Sequence, residues 1–150
     1  MQPHIVKEIR HDDGTVTEYD PKEIRIKLLE DYDGDGATEG IPGEVETLIE
    51  KLYAAILEKS VEVGTPLVYE SHSHPYFFND TNANGVADPE EVDRANAFAS
   101  WTPRLLRAAY NYQYAMKDPG AFAHNATYIL QVLYDSIENV GGDMTGLVRP

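Results

Sequence analysis

The chain has 150 residues, 42% hydrophobic and 25% charged, enough for one globular domain with its own core. Its formal net charge of −14 argues against nucleic acid and anionic membrane surfaces as partners, since both recruit Lys and Arg. The absence of cysteine excludes disulfides, thiolate metal sites, a thiol nucleophile and any c-type haem attached within this sequence, and no apolar run of about 18 residues is available to span a membrane.

The opening MQPHIVKEIR lacks the apolar core of a secretory signal, which fits either a cytosolic chain or a processed junction. Residues 4–19 read as a β-hairpin turning at Asp13-Gly14. Asp20-Pro21 then starts a helix that carries Ile24, Leu28 and Leu29 and ends near Asp31. From 44 to about 60, Val45, Leu48, Ile49, Leu52 and Ile56 recur at helical spacing, and Gly64-Thr65-Pro66 breaks the run. Residues 67–78, rich in β-branched and aromatic side chains, read as extended or irregular.

Residues 89–99 read as a helix burying Val92, Ala95 and Phe98. Thr102-Pro103 opens another, with Leu105, Leu106, Ala109, Tyr110 and Tyr114 facing inward. After a turn at 117–120, Asn125 caps a last helix along Ile129, Leu130, Leu133, Tyr134 and Ile137. Gly141-Gly142 ends it, and the tail to Pro150 is expected to be loose. The expected fold is mainly α: a compact helical domain with EF-hand-like calcium loops and a small N-terminal β-hairpin. It is one domain over 1–150, with the hairpin at 1–20, a first loop-helix unit at 21–60, and a second loop and helical bundle at 61–150.

Residues 80–91 match the twelve-residue EF-hand loop. Asp80, Asn82 and Asn84 stand at positions 1, 3 and 5, Gly85 at 6, Asp88 at 9 and Glu91 at 12. A hard cation takes six to eight oxygens at about 2.3–2.6 Å, so alternate side chains of a tight loop must converge on one point. Val86 would add its carbonyl, Asp88 would bind through water, and Glu91 would close the shell. The competing reading is an Asn/Asp-rich turn that caps a helix.

A second loop of this kind begins at Asp31. Asp33, Asp35 and Gly36 fit positions 3, 5 and 6, and Ala37 offers a carbonyl at position 7, but position 12 is Pro42. Pro42-Gly43-Glu44-Val45 parallels Pro89-Glu90-Glu91-Val92, so the loop reads as a 14-residue variant closed by Glu44, with Glu39 as a further ligand. A solvated acidic turn remains the alternative. Two calcium ions are therefore expected, in a structural role. The segment before Asp80 is a poor incoming helix, and three methionines do not make the Met-rich groove of a calcium sensor.

No catalytic constellation emerges, so no enzymatic activity is expected: there is no Gly-x-Ser-x-Gly elbow and no Gly-rich phosphate loop. His72 and His74 fit a polar strand face better than a metal pair, and His124 alone reads as a local hydrogen-bonding residue.

The run from Trp101 through Tyr114 to Lys117-Asp118-Pro119-Gly120-Ala121-Phe122-Ala123-His124-Asn125, continuing to Gln131-Val132-Leu133-Tyr134-Asp135-Ser136, resembles the C-terminal, haem-free region of extracellular multihaem c-type cytochromes. The resemblance reaches back through both loops to about Glu30. Short stretches ending in His-Asn are similar to the end of cytochrome c nitrite reductases, where the histidine is a haem axial ligand. The resemblance implies that His124 ligates a haem c held by a partner chain or by a segment outside this sequence. It also implies that the chain is a calcium-stabilised module or subunit of a multihaem cytochrome in extracellular electron transfer, in a homo- or hetero-oligomer, located extracellularly or in the periplasm. The alternative is a calcium-dependent protein-binding module, similar to dockerins, with no redox role.

Overall fold

A computed structural model describes residues 7–10, 14–19, 30–37 and 40–150. Strands β1 (Lys7–Arg10) and β2 (Val16–Tyr19) pair antiparallel, Lys7 opposite Tyr19 and Arg10 opposite Val16. The helix expected after Asp20-Pro21 lies outside the described residues, as does Glu39.

Three helices carry the core. Helix α1 (Ile41–Glu62) starts three residues earlier than its spacing predicts, because Pro42 occupies its first turn, where a missing N–H costs nothing. It buries Ile41, Val45, Leu48, Leu52 and Ile56. After α1, strands β3 (Leu67–Tyr69) and β4 (Phe77–Asn79) form a second antiparallel hairpin, with Val68 opposite Phe78. Helix α2 (Pro103–Lys117) is capped by the Thr102 hydroxyl, which accepts from Leu105 N–H. The short helix α3 (Ala121–His124) leads into α4 (Ala126–Val140). There Asn125 Oδ1 accepts from Tyr128 N–H, and Gly141 and Gly142 donate back to the Ile137 carbonyl. Helices α1, α2 and α4 pack on one another, burying Leu105, Ile129, Leu130, Leu133 and Ile137 completely or to 1% exposure.

Three expectations are corrected. Residues 89–99 do not form an α-helix. Turns lead to a single 3-10 turn at Arg94–Asn96, Val92 is only half-buried, Ala95 is exposed, and Phe98 alone of the three is buried. The cause is pairing with β4: Ala97 bridges Phe78, and Phe98 N–H donates to the Phe77 carbonyl, which draws the chain out of helical geometry. The inward face of α2 is also rotated. Leu106, Tyr110 and Tyr114 are 52%, 68% and 44% exposed, whereas Leu105, Ala108, Ala109, Tyr112 and Ala115 are buried. Alanine at three of these positions lets the neighbouring helices approach closely, and one aromatic, Tyr112, fills the remaining space by stacking on Tyr53 of α1 at 5.0 Å. The tail is not loose. Val148 N–H donates to the Tyr32 carbonyl (3.0 Å), Gln131 Nε2 to the Pro150 carbonyl (2.6 Å), and Arg149 clasps Asp135 through two nitrogens (2.7 and 3.0 Å).

Candidate metal centre

The first loop runs into the N-terminus of α1. Glu44, in the first turn of that helix, is fully buried, and its Oε2 accepts from the N–H groups of Tyr32 (2.9 Å) and Asp33 (3.1 Å). Asp31 accepts from Gly34 N–H (2.6 Å) and Gly36 N–H (2.8 Å), Asp33 from Asp35 N–H (3.0 Å), and Asp35 from Ala37 N–H (2.7 Å). Oxygens of Asp31, Asp33 and Glu44 lie within 4.8 Å of one another. Asp35 and Ala37 are exposed and lie outside that group of three.

The second loop leaves β4 instead of a helix, and Asp80 N–H donates to the Pro66 carbonyl (3.0 Å). Its internal bonding repeats that of the first. Asp80 accepts from Asn84 N–H (3.2 Å) and Gly85 N–H (2.8 Å), Asn82 Oδ1 from Asn84 N–H (2.9 Å), and Asn84 Oδ1 from Val86 N–H (2.7 Å). Glu91 Oε1 accepts from the N–H groups of Thr81 (2.7 Å) and Asn82 (3.4 Å), as Glu44 does at the matching positions. Asp88 Oδ2 accepts from the side-chain amides of both Asn82 (2.8 Å) and Asn84 (2.9 Å). At position six, Gly36 and Gly85 have φ of +90° and +75°, a backbone conformation that a side chain would strain. The structure thus brings together Asp31, Asp33 and Glu44 in one loop, and Asp80, Asn82, Asn84, Asp88 and Glu91 in the other.

Each loop also holds carboxylate oxygens that nothing satisfies. Glu44 Oε1, Asp33 Oδ2 and Glu91 Oε2 are buried and accept no hydrogen bond. Such atoms are costly unless a proton or a cation meets them. Burial pushes the Glu44 and Asp33 carboxyls above their usual range, against the partial relief of backbone N–H donors. Charged together at under 5 Å, Asp33 and Glu44 would repel by on the order of 3 kcal/mol at an effective dielectric of ~20. Glu91 is held below the usual range, first by the Thr81 hydroxyl and then by backbone N–H groups that outweigh its burial. Asp31 is likewise lowered, the donors Gly36 and Gly34 overcoming its desolvation. The donor set is carboxylate, amide and carbonyl oxygen, the chemistry of a hard cation.

Sequence reasoning missed the residues that brace the second loop. Asn79 and Asn96 exchange side-chain amide bonds, with Asn79 Nδ2 donating to the Asn96 carbonyl (3.1 Å) and Asn96 Nδ2 to the Asn79 carbonyl (2.9 Å). Asn96 Nδ2 also reaches the Glu91 carbonyl (2.9 Å), so both ends of the loop are tied to one side chain. Thr81 adds its hydroxyl to Glu91 Oε1 (2.6 Å). Asn79 and Thr81 adjoin or lie within the loop in sequence, whereas Asn96 reaches it through the fold.

His124 ends α3 with its side chain 73% exposed, and its Nδ1 lies 3.5 Å from Asp118 Oδ2. His72 is 89% exposed and pairs through Nδ1 with Glu70 at 3.0 Å, which fits a solvated polar face.

Sequence comparison places the class of relative. The chain is homologous to polyhaem c-type cytochromes over 63% of its length. It is 37% identical over 105 residues to the C-type polyheme cytochrome OmcB of Geobacter sulfurreducens, in strain DL-1 / KN400 and in strain ATCC 51573 / DSM 12127 / PCA alike. To OmcC of the latter strain it is 36% identical over 108 residues, 67% of the chain. It spans about 14% of the length of these curated relatives. No family model matches the chain, and no solved structure matches it. No described helix is long and apolar enough to cross a membrane.

Proposed function

We propose that this chain is a calcium-stabilised, non-catalytic module that works in association with a multihaem c-type cytochrome. The observation that carries the calcium reading is the pair of orphaned buried oxygens, Glu44 Oε1 and Glu91 Oε2, at the same position of two loops with the same internal bonding. The ligands are Asp31, Asp33, Asp35 and Glu44 with the Ala37 carbonyl in the first loop, Glu39 being a further candidate. In the second they are Asp80, Asn82, Asn84, Asp88 and Glu91 with the Val86 carbonyl. Each ion neutralises carboxylates that otherwise repel, so binding stabilises the fold. The second is an EF-hand-like loop without the flanking helix pair, with a strand before it and irregular turns after it, whereas the first runs into α1.

The cytochrome association is supported by the homology to OmcB and OmcC. With no cysteine, this chain attaches no haem c itself, so the haem belongs to a partner chain or to a segment outside these 150 residues. His124, exposed at the end of α3 with Asp118 Oδ2 3.5 Å from its Nδ1, would be the ligand this chain offers to that haem. An extracellular or periplasmic setting for electron transfer follows from the same reading. The test is calorimetric titration of the chelator-stripped protein with calcium. Two binding events, one lost in Glu44→Gln and the other in Glu91→Gln, are expected, and no binding at millimolar calcium would overturn the proposal.

A further inference from the structure

The C-terminal tail is built onto the first loop. Tyr32, the second residue of that loop, is held on both sides of its peptide chain. Its N–H donates to Glu44 Oε2 (2.9 Å), and its carbonyl accepts from Val148 N–H (3.0 Å). Two residues further, the backbones of Gly34 and Gly146 meet so closely that a Cβ on Gly34 would stand 2.7 Å from the Gly146 carbonyl carbon. Gly34 is the residue whose N–H donates to Asp31. The far end of the tail is fastened to α4 by the Arg149–Asp135 pair and the Gln131–Pro150 bond, and Met144 and Leu147 pack against the core.

We propose that residues 144–150 are a calcium-responsive clasp. Cation binding in the first loop and docking of the tail stabilise each other, while the second loop binds independently of the tail. The inference rests on the calcium reading and adds a regulated segment to it. A cation drawn between Asp31, Asp33 and Glu44 fixes the backbone from Asp31 to Gly36, and with it the two features that the tail requires: the Tyr32 carbonyl and the bare Gly34 surface. By linkage, a docked tail restricts the same backbone and raises affinity at the first loop by the factor by which the ion strengthens docking. No equivalent contact joins the described tail to the second loop, which is braced instead by Asn79 and Asn96.

The experiment is amide hydrogen exchange at Val148 in the full chain, with and without calcium, alongside calcium calorimetry. Calcium is expected to slow Val148 exchange by about tenfold or more in the wild type and in Glu91→Gln, and to leave it unchanged in Glu44→Gln. Val148→Pro, which removes the donated N–H, is expected to weaken the first binding event by about tenfold and leave the second unchanged. It provides a separate test should Glu44→Gln fail to fold. Calcium binding to both loops with no change in Val148 exchange would overturn the clasp and leave the calcium reading standing. Equal loss of protection in Glu44→Gln and Glu91→Gln would overturn it too, since it would show general stabilisation of the fold. No calorimetric binding at all would overturn both readings.

Discussion

Glu44 and Glu91 occupy the same place in two separate loops. Glu44 turns one carboxylate oxygen onto the N–H groups of Tyr32 and Asp33, Glu91 turns one onto those of Thr81 and Asn82, and each leaves its second oxygen buried without a partner. The loops are chemically unequal. The first presents Asp31, Asp33, Asp35 and Glu44, whereas the second replaces two of its carboxylates by Asn82 and Asn84. Self-repulsion without an ion is therefore greater in the first.

Calcium at a hundredfold excess over its dissociation constant is expected to stabilise the protein by about 2.7 kcal/mol per site, or roughly 5–10 °C in melting temperature for a chain of this size. Thermal melts of the stripped and loaded protein measure this directly. A melting temperature unmoved by saturating calcium would show that the ion does not select the folded state.

The pH dependence of the stripped protein follows from Glu44 and Asp33, both raised by burial. Between the usual carboxylate range and their raised folded values, the native state binds more protons than the unfolded state. Stability from these groups therefore falls as pH rises through that window and is recovered on acidification. Asp31 and Glu91 are lowered and contribute with the opposite sign. The contribution of the buried carboxylate is isolated by comparing wild type with Glu44→Gln, which should be the more stable in the absence of metal at neutral pH. With calcium present the order should reverse, because the ion requires the ionised carboxylate. Urea melts at several pH values, with and without chelator, check both signs.

Adjacent residues on α2 should differ sharply. Leu105 is fully buried and Leu106 is 52% exposed. Leu105→Ala is expected to cost about 2–5 kcal/mol and Leu106→Ala within about 0.5 kcal/mol. Denaturant unfolding of the two variants distinguishes this orientation of the helix from the rotated one that its sequence pattern suggests.

Substituting His124 by Ala is expected to leave the melting temperature of this chain unchanged, because the side chain is exposed and its contact with Asp118 is a surface one. If the chain is bound to a haem-bearing cytochrome as proposed, the same change should alter the haem absorption spectrum of the complex. An unaltered spectrum in an intact complex would remove His124 from the haem site.

Helices α1, α2 and α4 were legible because each announces itself locally: Pro103 in a first turn, Thr102 and Asn125 as caps, and leucine and isoleucine at helical spacing, while the first turn of α1 at Ile41-Pro42 was hidden by the loop pattern that runs through it. The repeated loop pattern was legible too, since alternate oxygen side chains followed by glycine leave a mark in a single sequence. What escaped is what depends on distant partners. Residues 89–99 carry a helical pattern, but Phe77 and Phe78 offer backbone pairing that the pattern cannot register. On α2, tyrosines suit core and surface equally, so their number hid two members of its small-residue face, Ala108 and Ala115, while Ala109 was read correctly as inward. The tail has no periodicity at all, and its order comes from Tyr32, Gly34, Gln131 and Asp135, none of them its neighbours in sequence.

Trp101, the sole tryptophan, meets Phe77 and Phe98 edge-on at 5.5 and 4.7 Å. Those two phenylalanines flank the second loop in sequence and are joined by a backbone hydrogen bond. The protein thus carries an intrinsic fluorophore seated where the two ends of that loop converge. Its emission offers a label-free optical signal for events at residues 80–91, leaving the first loop, far away in sequence, to be followed by other means.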